Sequence, residues 1–410
     1  MKKPIYYGYI LTLIATVIIA VSFGTLYCFG LFLEPLISEF GWTKATISGA
    51  YSVSFILHGF MYIITGRIND RVGPKMVVRV CCIIMGFAYI LMGWINAVWH
   101  LYLIYGVALA IAMGGIYVPL VSTLARWFVK KLGLMTGIVV SGVGFGTMLL
   151  PLIVRWLIAT YEWRVSYVIL GVLILLLLVP VTQFLRQKPE DLRLLAYGSG
   201  EKLKRMSHGS EAPAMPLRDA LLTREFWIFC GTISCFVFAQ QVILVHIASH
   251  AAVLGLSATI GANILSIIGG SSIVGRMTIG ALTDKIGNKR SLTFDIALLL
   301  SAFLWLPVVK EVRMLYLFGS IFGFSYGGLV AMMSPIVAEL FGLASHGVIL
   351  GTLSFIATAG GAVGPVVAGY LFDITGAYTI TLFICAAFVT VSFVLAIILW
   401  RGRESRLSLG

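Results

Sequence analysis

Charge is scarce in this 410-residue chain: 11% of its residues are Asp, Glu, Lys or Arg, against 60% hydrophobic. With a mean hydropathy of +1.02, a soluble protein could not hide its apolar surface, so the solvent is lipid. Acid is scarcer than base, 16 residues against 29, for a net charge of +13. That excess does not point to nucleic acid, because the basic residues sit in short gaps between apolar runs. There are six cysteines, none in a CxxC pair, with Cys81 and Cys82 adjacent inside an apolar run. They read as small apolar fillers, not as disulfides or metal ligands. HExxH, GxSxG and paired mid-membrane carboxylates are all missing, and no soluble catalytic domain is present. The reading is therefore not an enzyme, with no metal and no cofactor.

Long apolar runs are abundant. A helix needs about 20 such residues to cross a bilayer. Twelve runs qualify, near 7–32, 44–67, 76–96, 99–124, 133–157, 164–186, 222–249, 258–282, 290–308, 312–338, 347–372 and 377–400. In lipid every backbone amide must be satisfied within its own segment, which makes these runs helices and the fold all-α. Met1–Lys2–Lys3 precedes the first run and no A-x-A-like site closes it, so a retained first span is expected. Residues 1–186 form a first six-helix half, 187–221 a polar flexible linker and 222–410 a second six-helix half. Twenty-three of the 29 basic residues fall in the termini, the linker and the loops on their side; five fall opposite. The positive-inside rule places both termini in the cytoplasm of a multi-pass protein of the inner (cytoplasmic) membrane. Only Arg276 falls outside this bookkeeping, and it lies inside a span.

The two halves repeat at a fixed distance of 214 residues. Gly66–Arg67–Ile68–Asn69–Asp70–Arg71–Val72–Gly73–Pro74–Lys75 returns as Gly280–Ala281–Leu282–Thr283–Asp284–Lys285–Ile286–Gly287–Asn288–Lys289. Gly41, Gly114, Gly133, Gly137, Gly146 and Pro151 return as Gly255, Gly328, Gly347, Gly351, Gly360 and Pro365. In a membrane protein, paired halves of this kind are the usual build of a secondary transporter, with the substrate held between them.

The repeated loop has a physical logic. Its first glycine lets helices approach and its second supplies a tight turn. Its carboxylate, Asp70 or Asp284, can meet a helix N-terminus or a basic side chain and release it again. Arg71 and Lys285 complete this gating latch. The motif resembles the signature of the major facilitator superfamily, and the resemblance covers the whole chain. It implies two six-helix bundles, a central cavity and rocking alternating access.

Arg276 is the sharpest residue. It precedes Gly280 by four positions, about 6 Å along the helix, and the matching place in the first half holds Tyr62. A charge within a span is costly and points to a task. A guanidinium in a partly dry cavity can bind a carboxylate through two parallel hydrogen bonds. The run Ser272-x-x-x-Arg276-x-x-x-Gly280 resembles the eighth helix of the monocarboxylate transporters. The stretch Ala125–Arg126–Trp127–Phe128–Val129–Lys130–Lys131–Leu132–Gly133 is similar to that family's fifth-helix region and to the oxalate–formate antiporters. Two departures stand out. Ser272 occupies the family's aspartate position, and Tyr27 stands near its first-helix lysine. Helix eleven, near 347–372, has no Lys or Arg to pair with Arg276, so one carboxylate is favoured over a dianion.

Tyr117, Tyr326 and Tyr27 can hydrogen-bond a carboxylate or hydroxyl. Phe355 and Leu149 are candidates for the substrate's apolar end. His246 and His250 share one helix face and can shuttle a proton near neutral pH; His250 is favoured. Asp295 reads as a latch or packing partner near the cytoplasm. The resemblance implies proton symport of a small monocarboxylate such as L-lactate or pyruvate, with carboxylate exchange of the oxalate/formate type as the alternative. The expected partners are substrate, proton and lipid bilayer, with no nucleic acid, and the expected state is a monomer.

Overall fold

The computed structural model describes residues 6–128, 132–198, 215–309, 311–342 and 346–407. These residues form twelve long helices. The first, α1, runs Tyr7–Tyr27 and continues after a break at Cys28 as Phe29–Phe40; α2 is Lys44–Val72 and α3 is Pro74–Met92. Helix α4 is assembled from Val98–Leu101, a π-helical segment Tyr102–Ala108, Leu109–Gly114 and Tyr117–Trp127. Helices α5 and α6 are the two arms of Leu132–Val181, divided at Glu162. In the second half, α7 is Arg224–Val253, while α8 and α9 are the arms of Ala258–Trp305, divided at Gly287. Helices α10 (Val312–Phe341), α11 (His346–Thr375) and α12 (Thr379–Leu407) complete the chain. Several helices outrun their apolar stretches: the run at 44–67 ends at Val72 and the run at 7–32 ends at Phe40. Hydropathy falls where a helix enters the headgroup layer, but its backbone hydrogen bonds continue.

The repeat is visible in backbone angles. Gly73, between α2 and α3, has φ 84° and ψ 161°; Gly287, between α8 and α9, has φ 82° and ψ 160°. Both lie where L side chains are strained, so the second glycine of each loop motif does supply the turn. The turn from α11 to α12 uses Gly376 at φ 69°, and its counterpart between α5 and α6 is Glu162 at φ 65°. A glutamate there stores strain of about 1–3 kcal/mol, while glycine adds back about 0.5–1 kcal/mol of unfolded-state entropy. Glu162→Gly is therefore expected to raise the unfolding temperature in detergent, read by intrinsic fluorescence on heating.

Contacts divide the chain into two compact units. One comprises Met1–Leu26 and Leu57–Glu211; the other comprises Tyr27–Ile56 and Ala212–Gly410. In the first, α1 and α5 meet backbone to backbone: a Cβ on Gly24 would sit 2.8 Å from Gly146. In the second, α7 and α11 meet at the matching place, where a Cβ on Gly360 would sit 2.9 Å from Ser234 Cβ. Lipid supplies no hydrophobic drive between helices, so such small-residue contacts carry much of the packing. Apolar side chains such as Leu13, Leu176 and Met277 point outward, while Ser22, Ser48, Gln241 and Asp295 are buried.

The second unit also holds the hairpin of α1 and α2. Backbone amides of Lys44 and Ala45, at the start of α2, donate to Asp373 Oδ1 and Oδ2 at 3.0 and 2.9 Å. The carboxylate at the end of α11 thus caps α2. Lys44 Nζ pairs with Glu34 at 2.8 Å and lies 3.8 Å from the centre of the Phe372 ring.

Candidate functional site

Helices α8 and α10 are brought close by glycine. A Cβ on Gly323 would lie 2.8 Å from Ile268 Cα, and Gly275 and Gly327 back onto Phe324 and Ser272 in the same way. This approach sets Arg276 of α8 beside Tyr326 of α10, with the guanidinium carbon 5.4 Å from the ring centre. Arg276 is 8% exposed, and its Nε and Nη1 are buried without a hydrogen-bond partner. A ring face stabilises the cation without consuming its donors. The guanidinium therefore keeps unspent N–H donors that can donate to a carboxylate. Ser272, one turn earlier, is fully buried and donates to Gly269 O at 2.7 Å, so its hydroxyl is spent within α8.

The first unit carries a different chemistry at the matching place. Tyr62 replaces the arginine and shares a hydrogen bond with His58 Nε2, one turn earlier on α2. The Tyr62 ring lies 6.0 Å from that of Tyr117 on α4, and Tyr117 lies 6.2 Å from Phe23 on α1. His58 corresponds to Ser272 across the repeat, so both halves carry an i, i+4 polar pair on equivalent helices. The 214-residue offset was the signal that could have found His58, which the apolar context of α2 conceals.

The two histidines of α7 differ. His246 Nε2 lies 2.9 Å from Pro365 O and 3.2 Å from Ser48 Oγ, and its Nδ1 lies 3.0 Å from the Tyr378 hydroxyl. A neutral imidazole satisfies this set, with Nε2–H donating to the carbonyl and Nδ1 accepting from the phenol. His246 thereby ties α7 to α2, α11 and the start of α12. His250 is also buried, and neither of its ring nitrogens has a hydrogen-bond partner; the Tyr378 ring stands edge-on at 5.7 Å. Both lie inside the bundle, deeper than their place near the end of α7 suggests.

Tyr27 is buried at the break in α1, Phe355 is half-buried on α11 and Leu149 is half exposed on α5. Tyr117 and Leu149 belong to the first unit; Tyr27, His250, Ser272, Arg276, Tyr326 and Phe355 belong to the second. Of the latch residues, Arg71 and Lys285 are exposed, while the side chains of Asp70 and Asp284 lie outside the described residues. Near each latch, Asn69 Nδ2 donates to Ser122 Oγ at 3.2 Å and Asn288 Nδ2 to Glu339 Oε2 at 2.7 Å. Asp295 is 0% exposed, with both carboxylate oxygens unpartnered.

Known proteins share this architecture. The chain is 28% identical over 323 residues to monocarboxylate transporter 12 of Mus musculus, covering 72% of this chain and 65% of that protein. It therefore spans just under two thirds of that relative's length. It is 24% identical over 386 residues to monocarboxylate transporter 13 of Rattus norvegicus, covering 93% of this chain and 86% of that protein. A crystal structure of a bacterial homologue of the human lysosomal transporter Spinster superposes with a TM-score of 0.74 at 16% identity, covering 98% of each chain. The family model of the Major Facilitator Superfamily matches residues 15–310 and 279–409. With twelve helices in a repeated arrangement and a match along nearly its whole length, the chain belongs to the Major Facilitator Superfamily.

Proposed function

We propose that this protein is a secondary active transporter that moves small monocarboxylates such as L-lactate or pyruvate across the cytoplasmic membrane by proton symport with alternating access. The observation that carries the reading is the buried Arg276 guanidinium with Nε and Nη1 unpartnered. A buried cation without a counter-charge is costly. A substrate carboxylate supplies that charge through two hydrogen bonds, and Tyr326 holds the cation in place. One arginine meets one carboxylate, and α11 offers no second cation, which favours a monoanion over oxalate. The names of the two mammalian relatives support the same substrate class.

In this reading Tyr117 and Tyr27 donate to substrate oxygens, Ser272 shapes the floor beside Arg276, and Phe355 and Leu149 take the apolar end. Asp70, Arg71, Asp284 and Lys285 form and release the gating latches. The carrier works as a monomer with both termini cytoplasmic. His250, the histidine with free ring nitrogens, receives the proton from the outer side, and His246 braces the helices around it.

The two histidines are separable. His250→Gln is expected to lower pH-driven lactate uptake several-fold with little change in thermal stability. His246→Gln is expected to lower the unfolding temperature, because it frees Pro365 O and the Tyr378 hydroxyl from a buried network. Uptake and thermal unfolding of both variants, reconstituted side by side, check the pair; equal effects would remove the distinction. The parent reading is tested by uptake into proteoliposomes of lactate, pyruvate, formate, acetate and oxalate under an imposed pH gradient.

A further inference from the structure

We propose that Asp295 is an intramembrane proton-binding site and carries the proton that is coupled to substrate; the coupling rests on the symport reading above, the proton site itself on geometry. Asp295 lies on α9, eight residues beyond the Gly287 turn, about 12 Å along the helix. It is fully buried, and neither oxygen has a hydrogen-bond partner. Two further buried hydroxyls without partners accompany it: Ser291, one turn earlier on α9, and Ser325, one turn before Gly328 on α10.

Its position is specific. A Cβ on Gly328 of α10 would sit 2.6 Å from Asp295 Oδ1 and 2.7 Å from Ile279 Cγ1 of α8. The carboxyl therefore lies where α8, α9 and α10 meet, and Arg276 is one turn from Ile279 on α8. The first half holds Cys81 at the matching place, packed against Gly115 of α4. The repeat thus shows that a small apolar group fills this niche, so a carboxyl is not required for packing. Like Arg276 against Tyr62, the difference between Asp295 and Cys81 is a break in the symmetry.

The charged and titratable groups on the surrounding elements include Arg276 and Lys285 on α8, Lys289 and Arg290 on α9, Arg313, Tyr316, Tyr326 and Glu339 on α10, His246 and His250 on α7 and Cys385 on α12. None of them hydrogen-bonds or ion-pairs with either oxygen. An ionised carboxylate in this niche has no hydrogen-bond donor or ion-pair partner among the described residues, whereas the acid is neutral. The balance follows from counting charges. With substrate anion on Arg276 and a proton on Asp295, the pair of sites is neutral overall. With both gone, the cation of Arg276 and the anion of Asp295 again sum to zero. Substrate alone or proton alone leaves a net charge, which resists closure in a dry interior. Only the fully loaded and fully empty carriers reorient, which is the rule that makes a symporter. The proton comes from water on the uptake side, is received by His250 and held by Asp295, and leaves to water on the other side.

Asp295→Asn, which mimics the protonated acid, and Asp295→Cys, which copies the first half, test this in proteoliposomes with L-lactate. Wild-type accumulation under an inward pH gradient is expected to fall at least about tenfold in both variants, while lactate–lactate exchange becomes independent of pH. Accumulation by either variant with wild-type extent and pH dependence would overturn the proposal. Infrared spectroscopy of the lipid-reconstituted protein separates the proton site from the lactate reading. A protonated-carboxyl C=O band that is present in wild type, fades with alkali and is missing from Asp295→Cys supports the site whatever the substrate. An identical spectrum in wild type and Asp295→Cys overturns it. Wild type that ignores lactate but shows the band sinks the substrate reading alone.

Discussion

Arg276→Ala is expected to abolish lactate and pyruvate uptake while the protein remains folded and monodisperse. Among the described residues the side chain makes no ion pair, and its Nε and Nη1 make no hydrogen bond, so removing it strands no partner charge there. What disappears is the ring contact with Tyr326, worth about 0.5–2 kcal/mol. Stability therefore changes little. Transport loses a buried guanidinium within a span, and with it a charge-assisted bidentate contact. Arg276→Lys should recover little, because an ammonium offers a point charge where the site presents a planar fork. Uptake and size-exclusion chromatography on the same preparations check both halves of the expectation.

Gly146→Leu is expected to fail at an earlier stage, by preventing the first unit from packing. A Cβ at Gly146 would lie 2.8 Å from the Ala20 carbonyl carbon and 3.0 Å from Gly24 Cα. These are backbone atoms of α1, which cannot rotate away as a side chain end can. Overpacking costs about 1–3 kcal/mol where side chains can adjust, and more against backbone. In lipid the loss is sharper because close packing is itself the drive for association. Gly137, on the same helix, is the control. A Cβ there meets nothing within 4 Å, as at its counterpart Gly351. Gly137→Ala should fold normally and gain up to about 1 kcal/mol of helix propensity. Yield and monodispersity of the two variants in detergent decide the point.

These two residues show what a single sequence reveals in this fold. The 214-residue repeat was legible, and the structure gives it two physical forms: matched angles at Gly73 and Gly287, and matched close contacts at Gly146 and Gly360. Arg276 was legible because a charge in an apolar run is conspicuous. Its neighbour Tyr326 was visible as a polar group in a span, but its place over the guanidinium depends on how closely α8 and α10 approach, which depends on glycines fifty residues apart. His58 escaped notice because its partner Tyr62 is on the same helix and neither carries a charge. The difference between His246 and His250 was hidden for another reason. It lies in partners on α2, α11 and α12, and spacing on α7 cannot report them.

Asp295 teaches the converse. Its nearness to Lys289 and Arg290 gave it the look of a loop-side acid, a latch or packing partner. Those two residues belong to the start of α9, and seven or eight residues of helix suffice to carry a side chain about 12 Å into the bundle. Local charge density marks the start of α9, and helical rise sets how deep Asp295 lies. The residue at the same offset, Cys81, was the better guide, since it lies in an apolar run and marks the niche as internal.

The most direct test of the account measures initial uptake of L-lactate, pyruvate and oxalate into proteoliposomes, with and without an inward proton gradient, for wild type and Arg276→Ala. Lactate and pyruvate uptake that rises as the outside is acidified, with simultaneous entry of protons, and that vanishes in Arg276→Ala, is the result expected. Uptake of oxalate that requires formate inside and ignores the gradient, or undiminished lactate uptake by Arg276→Ala, would contradict it.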